Sequence, residues 1–246
     1  MTSVLIIGGG GMIGQKLASS FSTNDSLTLL DIGFPNKNQS NARKIIGSVG
    51  DPEIIENSLK DLPEVIYYLA SVVSGEAEAD FSKGWDVNIH AFWAFLSLVK
   101  KLNEKSQGQY KPKIIFTSSI AVFGSPFPNQ IPDDFIAAPR TSYGAQKASC
   151  ELMLNDFSRK GFCEGLAIRL PTICVRPGKP NLAASSFFSG IIREPLSGIN
   201  AQLPVSTAVR HWHASPRSAV RFLRHAETLN FSQLTFNSGL NMPGLS

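Results

Sequence analysis

Ser3-Val-Leu-Ile-Ile7-Gly8-Gly9-Gly10-Gly11-Met12-Ile13-Gly14 opens with five residues of strand character, passes through a run of glycine and enters a helical pattern. Gly8, Gly11 and Gly14 have the spacing G-x-x-G-x-x-G. Between a strand and a helix, such glycines permit a tight turn. They also let a pyrophosphate approach the backbone N–H groups at the helix N-terminus, here around Met12 and Ile13. The strand–turn–helix context gives the pattern its weight. Seventeen residues beyond Gly14 a second strand closes at Thr28-Leu29-Leu30-Asp31. A carboxylate at that place accepts both hydroxyls of an adenosine ribose and repels a 2′-phosphate, and no arginine follows it closely. The two features together point to NAD in preference to NADP.

Working outward, short aliphatic segments at 3–7, 27–31, 44–47, 65–70 and 113–118 alternate with helical patterns at 12–20, 52–60, 85–105 and 142–160. That alternation predicts an α/β fold, a Rossmann-type doubly wound parallel sheet with helices on both faces. In the longest predicted helix Ile89, Trp93, Leu96 and Lys100 share a face that Val87, Phe92 and Phe95 widen, which is the pattern of core packing. After a sixth strand at 166–170, Pro171, Pro177, Pro180, Pro195, Pro204 and Pro216 break the chain into short elements. The expected organisation is a dinucleotide-binding domain over 1–170 and a small substrate lobe over 171–246, laid on the sheet.

With 246 residues, 43% of them hydrophobic and 17% charged, the chain has enough apolar content for a sizeable core and too little charge for disorder. No apolar stretch approaches the ~20 residues of a membrane span, and the N-terminus lacks the basic flank of a signal peptide. Cys150, Cys163 and Cys174 are odd in number and form no C-x-x-C, so neither a disulfide framework nor a metal site is indicated, and a reducing, cytoplasmic setting is expected. The net charge of +4 is uneven. Between 165 and 226 eight basic residues face the single acid Glu194, a balance of +7 that leaves −3 for the rest. Either a solvated face or a site for an anionic ligand accounts for this. Nucleic acid is disfavoured, because the arginines are scattered without a reading motif.

Tyr143-Gly-Ala-Gln-Lys147 starts a predicted helix, and its i,i+4 spacing puts phenol and ammonium about a turn apart on one face. An ammonium there favours the phenolate and makes tyrosine a proton-transfer base. Alone, the pattern is a common accident. Its weight comes from Phe116-Thr-Ser-Ser119-Ile-Ala-Val-Phe-Gly124, which sets hydroxyls at the carboxyl edge of the sheet, where open α/β folds hold ligands.

The glycine loop, Asp31, the Asn of Asp86-Val87-Asn88, the Ser-Ser-x-x-Val-Phe-Gly strand end and the Tyr-x-x-x-Lys together resemble an extended short-chain dehydrogenase/reductase, the group of nucleotide-sugar epimerases and dehydratases. The resemblance runs from about residue 3 to residue 180. It implies Tyr143 as general base, Lys147 as the group that favours its phenolate and holds the nicotinamide ribose, and Ser119 as the hydroxyl that positions the substrate oxygen. It further implies Asp51 near the adenine, Ala70 and Ser71 along the cofactor, and Asn88 at the helix that braces the site. Two departures are visible: Phe123 stands where these enzymes usually have Tyr, and Gly8-Gly9 where many have Thr-Gly.

The second half narrows the resemblance. Arg169-Leu-Pro-Thr-Ile-Cys-Val-Arg-Pro-Gly178, Ala184-Ser-Ser-Phe-Phe-Ser-Gly-Ile-Ile-Arg193, Arg210-His-Trp-His-Ala-Ser-Pro-Arg217 and the Ser71-to-Glu76 turn are similar to the D-erythronate dehydrogenase branch. That likeness implies NAD-dependent oxidation of the C2 hydroxyl of a four-carbon sugar acid, with Ser74 and Ser119 at the substrate. A carboxylate beside the reacting carbon calls for a guanidinium, and Arg176 and Arg210 are the expected partners, with His213 adding a hydrogen bond to a hydroxyl. Arg169 is expected to be consumed in strand packing, and Arg217, Arg221 and Arg224, at helical spacing, to form a solvated face. A nucleotide-sugar epimerase and a catalytically degenerate Rossmann remnant remain alternatives. Relatives of this group usually exceed 300 residues, so the closing helices of the substrate lobe are expected to be missing. A homodimer through 85–105 and 142–160 is one expectation, although packing on the sheet explains the same apolar faces.

Overall fold

β1 (Ser3–Ile7) is paired on both sides, and the order in which the chain returns to it builds the fold. It leads through the glycine turn to α1 (Met12–Ala18), then β2 (Ser26–Asp31), β3 (Arg43–Ile46) and α2 (Pro52–Leu59). The chain then crosses to the far side of β1 as β4 (Val65–Tyr68), followed by α3 (Ser74–Ala79), α4 (Phe81–Trp85), a π-helical turn Asp86–His90 and α5 (Ala91–Lys105). β5 (Lys113–Ser119), a 3₁₀ turn Ile120–Val122, α6 (Ser142–Arg159) and β6 (Glu164–Leu170) complete the second half of the sheet. The rest comprises β7 (Thr172–Ile173), α7 (Phe187–Leu196), β8 (His213–Ala214), α8 (Pro216–Ala226) and β9 (Gly239–Asn241). This computed structural model describes residues 2–35, 41–132, 134–234 and 239–246.

The main sheet has the order β3-β2-β1-β4-β5-β6-β9 with every pair parallel, the predicted doubly wound arrangement. Its central strands are continuously apolar because both faces are covered. Alternate side chains feed opposite layers. Leu5, Ile7, Ile66, Tyr68, Ile114 and Phe116 pack with α2, α5 and α6, while Val4, Ile6, Tyr67, Ile115 and Ile168 pack with Leu17 of α1 and Ala219, Val220 and Leu223 of α8. The chain reverses its direction of travel between β1 and β4, so a crevice opens there at the carboxyl ends of the strands.

Several expectations shift in detail. The predicted 85–105 helix begins earlier, at α4, and contains the π turn. β4 stops at Tyr68, because the N–H groups of Leu69 and Ala70 both donate to Ile7 O (2.7 and 3.1 Å) and swing the chain out of the ladder. Trp93 keeps 53% exposure and meets Phe157 of the core edge-on. Arg224 is not on a solvated face: its guanidinium lies 3.8 Å from the Phe21 ring centroid and pairs with Glu227. The 171–246 stretch also divides. α7 and the loop after it cover the crevice, whereas α8 and β9 return to the Rossmann layers, β9 as the seventh strand beside β6. Among the described residues no helix is long and apolar enough to cross a membrane.

Candidate active site

A cleft of about 1370 Å³ runs along the carboxyl ends of the strands, from the glycine turn to α7 and the turn before β8. At one end Gly8, Gly11, Met12, Ile13 and Gly14 form its wall. A Cβ on Gly14 would stand 2.1 Å from Gly8 O, so the helix closes onto the turn only with hydrogen there. Gly11 caps α1 with no side chain, which leaves the first amides of the helix for a ligand. Gly10 N–H donates to Asp31 Oδ2 at 2.9 Å, fixing the carboxylate beside the turn at the end of β2. Bare helix amides and a strand-end carboxylate fit the pyrophosphate and the ribose of a dinucleotide.

The residues that the sequence pattern singles out for chemistry stand where the cleft crosses β5. The first turn of α6 lies against the 3₁₀ turn after Ser119, where a Cβ on Gly144 would meet Ala121 O at 2.2 Å. Thr141 caps the helix by accepting from Gly144 N, and Glu78 accepts from Ser142 N. Ser119, Tyr143 and Lys147 thus line one stretch of wall. Lys147 is 2% exposed; its Nζ donates to Thr117 O at 2.9 Å and lies 5.6 Å from the Tyr143 ring centroid. Ser119 Oγ accepts from Ala121 N (3.1 Å), which leaves its proton to donate. One further turn along α6, Glu151 holds Arg169 of β6 through three contacts of 2.8 to 3.2 Å and accepts from Ser118 Oγ, all buried. Arg169 is therefore consumed in packing, as expected.

The far end of the cleft is cationic. Arg176, Lys179, Arg193 and Arg210 line it, and among the described residues no aspartate or glutamate does. Arg193 is occupied: it donates to Arg176 O and pairs with Glu194. The Arg176 backbone N–H donates to Ser189 Oγ (3.0 Å), while its guanidinium has no ion-pair partner among the described residues. Arg210 Nη2 reaches Ser246 O at 3.4 Å. Ser74 Oγ accepts from Ala184 N (2.9 Å), tying the start of α3 to the segment before α7.

Five predicted site residues lie outside this lining, among them Asp31, which stands behind the glycine turn on the Gly10 N–H. Asn88 is buried, its amide spent on Val72 N and O and on Gln146 Oε1, so it braces the loop after β4 from behind. Asp51 caps α2, accepting from Glu53 N. Ala70 touches the glycine turn, its N 2.6 Å from where a Gly8 Cβ would stand, while Ser71 lines the cleft. His213 is held in β8, its backbone exchanging hydrogen bonds with Leu245. His211 lines the cleft instead, as does Thr172, and their Nε2 and Oγ1 atoms are 2.7 Å apart. Burial lowers the His211 pKa below the ordinary imidazole value, and the neighbouring His213 lowers it further. The 210–213 turn was legible in the sequence; which histidine faces the cleft was not, because the pairing of Thr172 with His213 in β7–β8 decides it.

This geometry has relatives. Residues 4–214 match the model of the NAD dependent epimerase/dehydratase family. The D-erythronate dehydrogenase of Cupriavidus necator is 42% identical over 99% of this chain and 78% of that protein. The D-erythronate dehydrogenase of Haemophilus influenzae is 40% identical, with the same coverage. A crystal structure of the nucleoside-diphosphate-sugar epimerase from Agrobacterium tumefaciens superposes with a TM-score of 0.88 at 46% identity, over 99% of this chain and 74% of that one. Fold, cleft and relatives define an NAD-dependent dehydrogenase of the extended short-chain dehydrogenase/reductase type. The chain belongs to the NAD dependent epimerase/dehydratase family.

Proposed function

We propose that this enzyme oxidises the C2 hydroxyl of a four-carbon sugar acid, D-erythronate or a close analogue, to the 2-oxo acid with NAD. The observation that carries the reading is the cationic end of the cleft, which no acidic side chain lines among the described residues, with the Arg176 guanidinium, which has no ion-pair partner among them, and Arg210 on the same cavity as Ser119, Tyr143 and Lys147. A carboxylate leaving water needs such replacement of its hydration. The names of the relatives from C. necator and H. influenzae support the choice of acid.

NAD, when bound, supplies the hydride acceptor. The α1 amides and Asp31 would hold its pyrophosphate and adenosine ribose, and the absence of an arginine close after Asp31 favours NAD over NADP. The Ser119 hydroxyl, already fixed by Ala121 N–H, donates to the C2 oxygen. Tyr143, as phenolate, takes the C2–OH proton, and the Lys147 ammonium offsets the negative charge beside it. Arg176 and Arg210 hold the carboxylate, which orients C2. The test is NADH absorbance with D-erythronate as substrate. Tyr143→Phe should abolish turnover and leave NAD affinity within about twofold; wild-type kcat in that variant would refute the proton transfer.

The A. tumefaciens structure, named as an epimerase, favours a second reading, a nucleotide-sugar epimerase. Stoichiometry separates the two: an epimerase returns the hydride and yields no net NADH, whereas the proposed dehydrogenase accumulates it.

A further inference from the structure

Thr172 and His211 have no part in the proton transfer, yet both face the cleft, and their mutual hydrogen bond ties up only part of their polar capacity. The positions of both are fixed. Thr172 N–H donates to Trp212 O at 3.0 Å, clamping the start of β7 to the residue after His211. The His211 ring stacks on Phe188 of α7, with centroids 4.6 Å apart and planes at 18°, and the His213 ring flanks it at 5.1 Å. Strand pairing uses only the Thr172 backbone, so its hydroxyl is not needed for the ladder.

We propose that the Thr172–His211 pair is a subsite for a substrate hydroxyl remote from the reacting carbon, so that the cleft selects a polyhydroxy acid over a simple 2-hydroxy acid. This deepens the sugar-acid reading and rests on it. The pair is neutral near pH 7, because burial disfavours the imidazolium. It therefore suits an alcohol and offers no positive charge to a second carboxylate. In either tautomer the shared bond leaves a free polar valence: if Thr172 donates to Nε2, its oxygen accepts from the ligand, and if Nε2–H donates to Thr172, its O–H donates to the ligand. Arg210 immediately precedes His211, so the carboxylate partner and the hydroxyl partner leave the backbone ~3.8 Å apart. Both can engage the two ends of one short chain.

The test combines substrate and side-chain deletion. Calorimetry on the protein saturated with NADH, and kcat/KM with NAD, are measured for D-erythronate and for its 3-deoxy and 4-deoxy analogues. The proteins are wild type, Thr172→Val, Thr172→Ser and His211→Phe. Wild type should favour D-erythronate over one deoxy analogue by about 10- to 100-fold, the scale of an unpaired polar site. Thr172→Val and His211→Phe should erase that preference by weakening D-erythronate alone, Thr172→Ser should restore it, and NAD affinity should not change. Equal loss on all three acids, no loss on any, or a wild type indifferent to both deoxy analogues would overturn the subsite. Discriminating binding without NADH production would overturn the dehydrogenase reading and leave the subsite standing; binding of none of the acids would overturn both.

Discussion

Arg169→Met removes one half of an ion pair that has almost no contact with water. The two side chains are 5% and 1% exposed, and the guanidinium makes three contacts with Glu151 between 2.8 and 3.2 Å. After the substitution Glu151 keeps the Ser118 hydroxyl but loses the Arg169 charge, and Phe123, 5.0 Å from the guanidinium, loses a cationic neighbour. Stranding one member of a buried pair costs about 3–5 kcal/mol. At roughly 2–4 °C per kcal/mol for a chain of this size, the melting temperature should fall by about 10 °C. The double variant Glu151→Leu/Arg169→Met replaces the pair with apolar volume and should recover most of the loss, because the desolvation of both charges disappears with them. Thermal unfolding followed by circular dichroism checks this at one protein concentration. An Arg169→Met protein melting within about 2 °C of wild type, or a double variant less stable than the single, would refute the assignment. Because Glu151 follows Tyr143 and Lys147 at successive turns of α6, the single variant should also lower kcat.

Gly14→Ala sets a Cβ 2.1 Å from Gly8 O, so α1 must retreat from the turn; NAD affinity by fluorescence titration should fall at least tenfold, and unchanged affinity would count against the turn as the pyrophosphate site. Arg176→Ala and Arg210→Ala should each raise KM for the sugar acid by about one to two orders of magnitude, the scale of about 1.5–3 kcal/mol for a charged hydrogen bond, with NAD affinity unchanged; unaltered KM in both would remove the basis for an acid substrate. The folded protein resists protonating His211, whereas the unfolded chain takes that proton near pH ~6.5. Below that pH the unfolded state binds more protons, so this contribution to stability is flat at pH 7–8 and is lost as pH falls through 6.5. The melting-temperature difference between wild type and His211→Asn should therefore narrow from pH 7.5 to 5.5, and a difference that widens would contradict the buried neutral ring.

What the sequence by itself determined is what local spacing encodes. The glycine turn between strand and helix, the carboxylate ending β2 and the i,i+4 placement of Tyr143 and Lys147 each depend on a periodicity of two or 3.6 residues, and each is legible within one window of chain. Alternation of such windows fixed the doubly wound sheet. Tertiary structure decided everything that depends on which distant segments meet. Ser119 and Tyr143 share a wall because Gly144 packs on Ala121 O, a contact between two elements. Arg169 and Arg176 are both arginines in one basic stretch, yet one is buried against Glu151 and the other lines the cleft, because β6 is in the core and its continuation leaves it. Asn88 sits behind the cleft, and His211, not His213, lines it, because the π turn and the β7–β8 pairing orient them. The proline-rich stretch gave no sign that α8 and β9 rejoin the main core. Proline marks where an element stops, but which surface the next element buries depends on apolar faces presented by strands more than fifty residues away.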